Sequence, residues 1–169
     1  MKKILVCGFA GSGKSTFAKI LGEKINIEVL HLDSIHFKDG WVEVPNEEME
    51  LKVQEFMKKE KWIIDGNYQK IANNRFEECD LLFYFNFNRF RCLKNIIKRN
   101  IMYKNQVRPD MASGCFEKLD FEFLKWILFK GRRKQGNRIK VYKEKYNDKL
   151  VVFKNRKQVN KYIENIMKG

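Results

Sequence analysis

One short stretch near the N-terminus constrains this chain more than any other. Gly8-Phe9-Ala10-Gly11-Ser12-Gly13-Lys14-Ser15 fits the pattern G-x-x-x-x-G-K-[ST] completely. It follows an apolar run, Lys3–Cys7, and precedes a segment in which Phe17, Ile20, Leu21 and Ile25 recur at helical spacing. That is the strand, loop and helix setting the motif requires. The small residues Gly8, Ala10, Gly11, Ser12 and Gly13 let consecutive backbone N–H groups curl around phosphate oxygens. The helix that follows, with Thr16 in its first turn, offers its positive end to the same anion. Lys14 brings a flexible ammonium to the β- and γ-phosphates, and the Ser15 hydroxyl is placed to ligate Mg²⁺. The plain alternative is a glycine-rich turn with a chance lysine, and the correct flanking elements speak against it. The expectation is a site for ATP and Mg²⁺.

The rest of the chain alternates strand and helix. Ile27–Leu32 reads as a second strand, Trp62-Ile63-Ile64 as a third ending at Asp65-Gly66, Leu81–Phe87 as a fourth, and Leu150–Phe153 as a last. Pro45-Asn46-Glu47-Glu48 is a helix entry with Asn46 as N-cap, and Met49, Val53 and Phe56 form its stripe. A later helix is expected to face the core with Phe90, Leu93, Ile97 and Ile101, leaving Arg91, Lys94 and Lys98 outside. Tyr103–Phe116 breaks the periodicity and reads as a mobile loop. Leu119–Phe129 returns to helix, with Lys130, Arg132, Arg133 and Lys134 near its end and Gly131 and Gly136 as interruptions. Val159, Tyr162, Ile163 and Ile166 stripe a C-terminal helix. Strand–helix alternation implies an α/β fold in three layers, a parallel sheet with helices on both faces. With 169 residues, no repeats and no linker, one domain over 1–169 is expected, with a lid insertion at about 103–118.

Composition closes off several classes. Hydrophobic residues are 44% and charged residues 33%, with only 2 Pro, a globular balance that excludes disorder and low-complexity scaffolds. No window approaches the roughly 18 apolar residues of a membrane span. The basic N-terminus leads straight into the glycine loop and reads as a strand, so the cytoplasm is the expected address. Cys7, Cys79, Cys92 and Cys115 have no metal-finger spacing and read as buried, reduced thiols. His31 and His36 lack a zinc pattern. The net charge of +14 is uneven. Met1–Phe85 carries 12 basic and 14 acidic residues, whereas Asn86–Gly169 carries 23 and 7. Such asymmetry suits a phosphate-rich ligand, or weak nucleic-acid association through the basic C-terminal half.

What the nucleotide serves is narrowed by what is missing. Asn155-Arg156-Lys157-Gln158 lacks the aspartate of an N-K-x-D base-reading motif. The third strand ends in a single Asp65, and no second signature suggests a motor. A small kinase needs only the cradle, a magnesium-organising acid, an acceptor pocket and a basic lid. Asp65 is assigned to Mg²⁺ through water. Asp33 is assigned to orient or deprotonate an acceptor hydroxyl. Either acid can instead merely cap the turn that follows it. Arg99, Arg132 and Arg133, and also Arg108, flank or occupy the irregular loop and suit charge on a transferring phosphoryl; each equally suits a solvated surface.

The cradle, His31-Leu32-Asp33, Gly40-Trp41, Ile64-Asp65-Gly66-Asn67-Tyr68, and Arg108-Pro109-Asp110-Met111 followed by Gly114-Cys115 together resemble the bacterial "DNA topology modulation protein" (FlaR-like) family, in the adenylate-kinase-like branch of P-loop kinases. The resemblance implies a five-stranded parallel sheet of order 2-3-1-4-5 with a lid. It carries over Gly13, Lys14 and Ser15 as ATP–Mg²⁺ residues, Asp65 as the magnesium-side acid and Arg99 as a lid arginine, with adenine near Asn155–Lys157. It departs from adenylate kinase in having no Arg before Arg75, and Gln69 stands where that enzyme's D-G-F-P-R segment ends in arginine. Lys38, Lys52 or Arg75 would substitute only in part. The acceptor expected is therefore a hydroxylated small molecule or nucleoside, not a nucleoside monophosphate. Phe37, Trp41 and Tyr68 either wall a ring-bearing substrate or belong to the core. Two other classes stay open: a nucleic-acid-associated protein with ATP as a switch, and a nucleotide-bound regulator without turnover.

Overall fold

A computed structural model describes residues 2–168. The main sheet is built from β1 (Lys3–Gly8), β2 (Val29–His31), β5 (Trp62–Asp65), β6 (Leu81–Phe85) and β7 (Leu150–Phe153), all parallel, in the order β2-β5-β1-β6-β7. Counted among themselves along the chain, these five strands run 2-3-1-4-5, the order expected. Two very short strands, β3 (Phe37–Lys38) and β4 (Val42–Glu43), form a separate antiparallel hairpin around a tight turn at Asp39–Trp41. Among the described residues no helix is long and apolar enough to cross a membrane.

Alternation along the strands divides the interior in two. Leu5, Cys7, Leu82 and Tyr84 face one side with Trp62 and Ile64. That face is covered by α2 (Leu32–His36), α3 (Asn46–Met57), α4 (Arg75–Glu78) and α7 (Lys130–Lys145), which contribute Leu32, Met49, Val53, Phe76, Tyr142 and Tyr146. Ile4, Val6, Ile63, Phe83 and Phe85 face the other side. There α1 (Lys14–Ile25), α5 (Arg89–Met102), α6 (Phe121–Leu128) and α8 (Arg156–Lys168) supply Phe17, Leu21, Cys92, Ile96, Ile127 and Val159. The result is the three-layer arrangement, and all four cysteines lie buried within it.

Several expectations need correction. Ile27–Leu32 shortens to Val29–His31, because Leu32 turns inward beneath Gly66 and opens α2. The fourth strand stops at Phe85, although Asn86 N still donates to Phe153 O at 2.8 Å. Asn46 is the first residue of α3, with Pro45 at the cap position and no side-chain cap. The stripe on α5 is rotated: Arg91, Lys94 and Lys98 lie outside as expected and Leu93 is half-buried, but the inward line is a different one. Cys92, Asn95 and Ile96 face inward, while Phe90, Ile97 and Ile101 are exposed. The reason is that α5 packs on the phosphate loop, where Asn95 Nδ2 donates to Gly11 O at 2.9 Å. The segment after α6 is one long helix, α7, hidden from a periodicity reading by its lysines and two glycines; Gly131 fits where the Trp126 ring passes close by.

Tyr103–Phe116 is irregular, as expected, but it is pinned. Arg108, Met111, Cys115 and Glu117 are buried. Glu117 holds Arg99 (2.8 Å) and Arg108 (2.7 Å), and Arg108 also pairs with Asp110 at 2.9 Å. The segment docks on the β3–β4 hairpin through Trp41 Nε1, which donates to Phe116 O (3.1 Å), and Cys115 Sγ, which donates to Lys38 O (3.3 Å).

Phe17 fastens α1, and hence the loop before it, to the sheet. Its fully buried ring meets Phe83 at 4.9 Å, Phe85 at 5.4 Å and Phe153 at 5.6 Å between centroids. Phe17→Ala is expected to cost about 3–5 kcal/mol, read as a lowered midpoint in urea unfolding with an unchanged slope.

Candidate active site

The strand-to-helix loop is held open by backbone geometry and by two asparagines. Gly8 has φ 136°, and a Cβ there would lie 2.5 Å from the Phe85 backbone, so only glycine fits between the strands. Gly13 caps α1 at φ 84° with no side-chain acceptor, and the first turn holds no acidic residue. The positive end of α1 is therefore uncompensated by the chain. Asn67 clamps Gly8 from both sides: its Oδ1 accepts from Gly8 N (2.9 Å) and its Nδ2 donates to Gly8 O (2.7 Å). Inside the loop, Ser12 Oγ and Lys14 Nζ both donate to Phe9 O, at 2.6 and 3.2 Å. Phe9 stacks on Trp126 of α6 at 6.0 Å. The guanidinium of Arg156, first residue of α8, lies against Gly13. This places the segment Asn155–Lys157 beside the loop.

Asp65 ends β5 next to His31, with which it is paired in the sheet register. Its Oδ2 contacts His31 Nδ1 at 3.0 Å, while its buried Oδ1 has no hydrogen-bond partner among the described residues. Burial alone would lower the His31 pKa, but the hydrogen bond and charge of Asp65 outweigh it and leave it raised. A buried carboxylate oxygen without a donor suits the water shell of a hard cation, so the donor set of Asp65 with the Ser15 hydroxyl fits Mg²⁺. Asp33 lies in the first turn of α2, and its Oδ1 accepts from Tyr68 OH at 2.7 Å. Burial and then the Asp33 charge push the Tyr68 phenol well above its ordinary range, which keeps it protonated and donating. The Tyr68 ring packs on His36 (4.6 Å), His36 on Phe37 (4.5 Å) and Phe37 on Trp41 (5.2 Å). All four are only partly buried, so this aromatic row borders the surface.

The structure distributes the basic residues differently from a simple reading. Arg99 and Arg108 are engaged by Glu117. Arg133 is exposed on the outer face of α7, because the inward positions of that helix are Gly131 and Gln135. The side chain of Arg132 falls outside the described residues. Lys38 and Lys52 both pair with Glu48, at 3.1 and 2.8 Å. Arg75 is fully buried and donates to Tyr68 O (2.6 Å) and Ala72 O (3.2 Å). None of these three is thus an unengaged cation for an acceptor phosphate. Residues that sequence reasoning passed over are Asn67 and Asn95 as braces, His31 beside Asp65, Arg156 beside Gly13, and Arg138, whose Nε donates to Gln69 Oε1 at 3.2 Å. His31 was legible in principle, since it closes its strand as Asp65 closes the adjacent one.

No protein-family model matches the chain. It is 30% identical over 80 residues to a shikimate kinase of Caldicellulosiruptor saccharolyticus, a match covering 47% of this chain. The chain spans only about a third of that relative's length, 35%. Among solved structures it is similar to deoxyadenosine kinase from M. mycoides with bound dATP, with a TM-score of 0.59 at 16% identity, over 99% of this chain and 98% of that one. It is also similar to shikimate kinase from Bacteroides thetaiotaomicron, with a TM-score of 0.55 at 15% identity, over 98% and 95%. The chain has the three-layer fold of the small P-loop kinases.

The Asn67 clamp generates a direct expectation. Asn67→Ala leaves the buried amide of Gly8 without its acceptor, which should cost about 1–3 kcal/mol of stability. The loss in ATP affinity measured by calorimetry should exceed that of Asn95→Ala, which touches only Gly11 O.

Proposed function

We propose that this chain is an ATP-dependent phosphotransferase that moves the γ-phosphoryl group to a hydroxyl of a small acceptor. The observation that carries the reading is the uncapped head of α1, ringed by small residues, opposite a buried Asp65 oxygen that lacks a partner. The amides of Ala10, Gly11, Gly13, Lys14, Ser15 and Thr16 cradle the phosphates, those of Gly8, Phe9 and Ser12 being used within the protein, and Lys14 exchanges its bond to Phe9 O for the β- and γ-phosphates. Ser15 and, through water, Asp65 would hold Mg²⁺, which would supply positive charge to the phosphate oxygens. His31 fixes the Asp65 carboxylate in orientation. Asp33, held by Tyr68, takes the proton of the acceptor hydroxyl as its oxygen bonds to the γ-phosphorus. The bond from that phosphorus to the β–γ bridging oxygen breaks, and ADP leaves with the electron pair.

The acceptor is small and hydroxyl-bearing, ring- or nucleoside-like, with the row from Tyr68 to Trp41 as one wall. The names of the similar proteins, a shikimate kinase and a deoxyadenosine kinase, support this class, since both named substrates carry ring hydroxyls. The segment over 103–118 acts as a lid, beside which Arg99 of α5 reaches the phosphates once its grip on Glu117 loosens; Arg133 approaches only if α7 moves with it. The Asp-Gly-Asn-Tyr and Arg-Pro-Asp-Met stretches support a place in the FlaR-like group, working in the cytoplasm.

The test is transfer of label from γ-labelled ATP to a panel of sugars, nucleosides and hydroxy acids. Wild type should label at least one acceptor, and Lys14→Ala and Asp65→Asn should each lower the rate roughly 10²–10³-fold. Absence of transfer to every acceptor, together with DNA binding that Lys14→Ala leaves intact and salt abolishes steeply, contradicts the reading.

A further inference from the structure

The inward stripe of α7 runs through Gly131, Gln135, Arg138, Ile139 and Tyr142 at helical spacing and continues to Tyr146 at its C-cap. All but one of these are the apolar, aromatic or hydrogen-bonded groups that such a stripe requires. Gln135 Nε2 donates to Phe85 O (3.1 Å), and Tyr142 and Tyr146 pack on Phe76. Arg138 is the exception, a guanidinium turned toward the body of the protein. No carboxylate among the described residues pairs with it. Its Nε is used by Gln69 Oε1 at 3.2 Å, and Gln69 is itself fixed, because its Nε2 donates to Tyr142 OH at 3.1 Å. The Nη1 and Nη2 groups have no protein acceptor among the described residues, and that edge is the one shaped for a carboxylate or a phosphate. Gln69 directly follows Tyr68, the residue that holds Asp33. A guanidinium stays ionised, and half-burying one without a counter-charge is unfavourable unless a ligand supplies it.

We infer that Arg138, oriented by Gln69, is the specificity-determining residue for the acceptor and binds an anionic group, carboxylate or phosphate, at the end away from the reacting hydroxyl. The inference rests on the phosphotransfer reading and narrows its acceptor to an anion-bearing hydroxylated molecule. Lys38, Lys52 and Arg75 are engaged elsewhere, so this recognition falls to a residue of α7, which follows the lid segment in the chain.

The experiment is kinetic and calorimetric on the full chain. Hydroxylated carboxylates, sugar phosphates, neutral sugars and nucleosides are titrated into wild type, Arg138→Lys and Arg138→Met, each with a non-hydrolysable ATP analogue and Mg²⁺. Anion-bearing compounds should bind wild type more tightly than neutral ones, the carboxylate and phosphate arms showing which anion. Arg138→Met should weaken that binding, and raise the acceptor KM, roughly 10- to 100-fold, with Arg138→Lys in between. The KM for ATP, kcat at saturating acceptor and melting temperature should stay within about twofold or a few degrees. A wild type that favours neutral acceptors, or an Arg138→Met that lowers kcat with acceptor KM unchanged, overturns the inference. If anionic compounds bind through Arg138 but no label is transferred, the phosphotransfer reading fails while the binding role stands.

Discussion

The first-turn amides of α1 receive neither a side-chain cap nor an acidic neighbour, and the structure around them keeps that positive end accessible. Asn67 and Asn95 satisfy the loop's own backbone from the side, at Gly8 and Gly11, so that the loop is held without the amides of Gly13 and the first turn of α1 being consumed. Phe17 anchors the helix below, and Trp126 packs on Phe9 above. An anion site built this way has its backbone donors in place before phosphate arrives, with Lys14 alone changing partner, the preorganised condition under which electrostatic stabilisation is most effective.

The acids stand at the same sheet edge because parallel strands deliver their carboxyl ends together. Asp65 and His31 are register partners, and Asp33 follows one residue past the turn that buries Leu32. The tight inward turn at Leu32 shortens β2 and, by doing so, brings Asp33 within hydrogen-bonding distance of Tyr68. The basic half of the chain, by contrast, is divided. Arg99 and Arg108 share Glu117, Arg138 faces inward, and Arg133 stays in solvent, so the net charge is a poor guide to which cations meet a ligand.

The strand–helix alternation, the cradle and the two edge acids were legible because each rests on local pattern: apolar runs of strand length, glycines at fixed spacing, an acid at a strand end; the order of the strands came from the family resemblance, since local pattern does not encode which strands become neighbours. What was not legible depended on tertiary partners. The face of α5 was misjudged because Cys92, Asn95 and Ile96 meet the phosphate loop as well as the core, leaving Phe90 and Ile101 outside. The helix α7 was missed because its sixteen residues, Lys130–Lys145, include two glycines and eight lysines or arginines, and its inward stripe is largely polar. The pinning of the segment over 103–118 depends on one glutamate shared by two distant arginines, which spacing does not encode. Arg138 was invisible for the same reason as its helix.

The claim on which the rest stands is that the bend before α1 grips a nucleoside triphosphate. Titrating ATP with Mg²⁺ into the folded protein in a calorimeter tests it most directly. The account predicts heat with a stoichiometry of about 1:1 and a dissociation constant between about 1 μM and 1 mM. Absence of heat with ATP and with GTP over that range, from protein whose melting transition is intact, contradicts it.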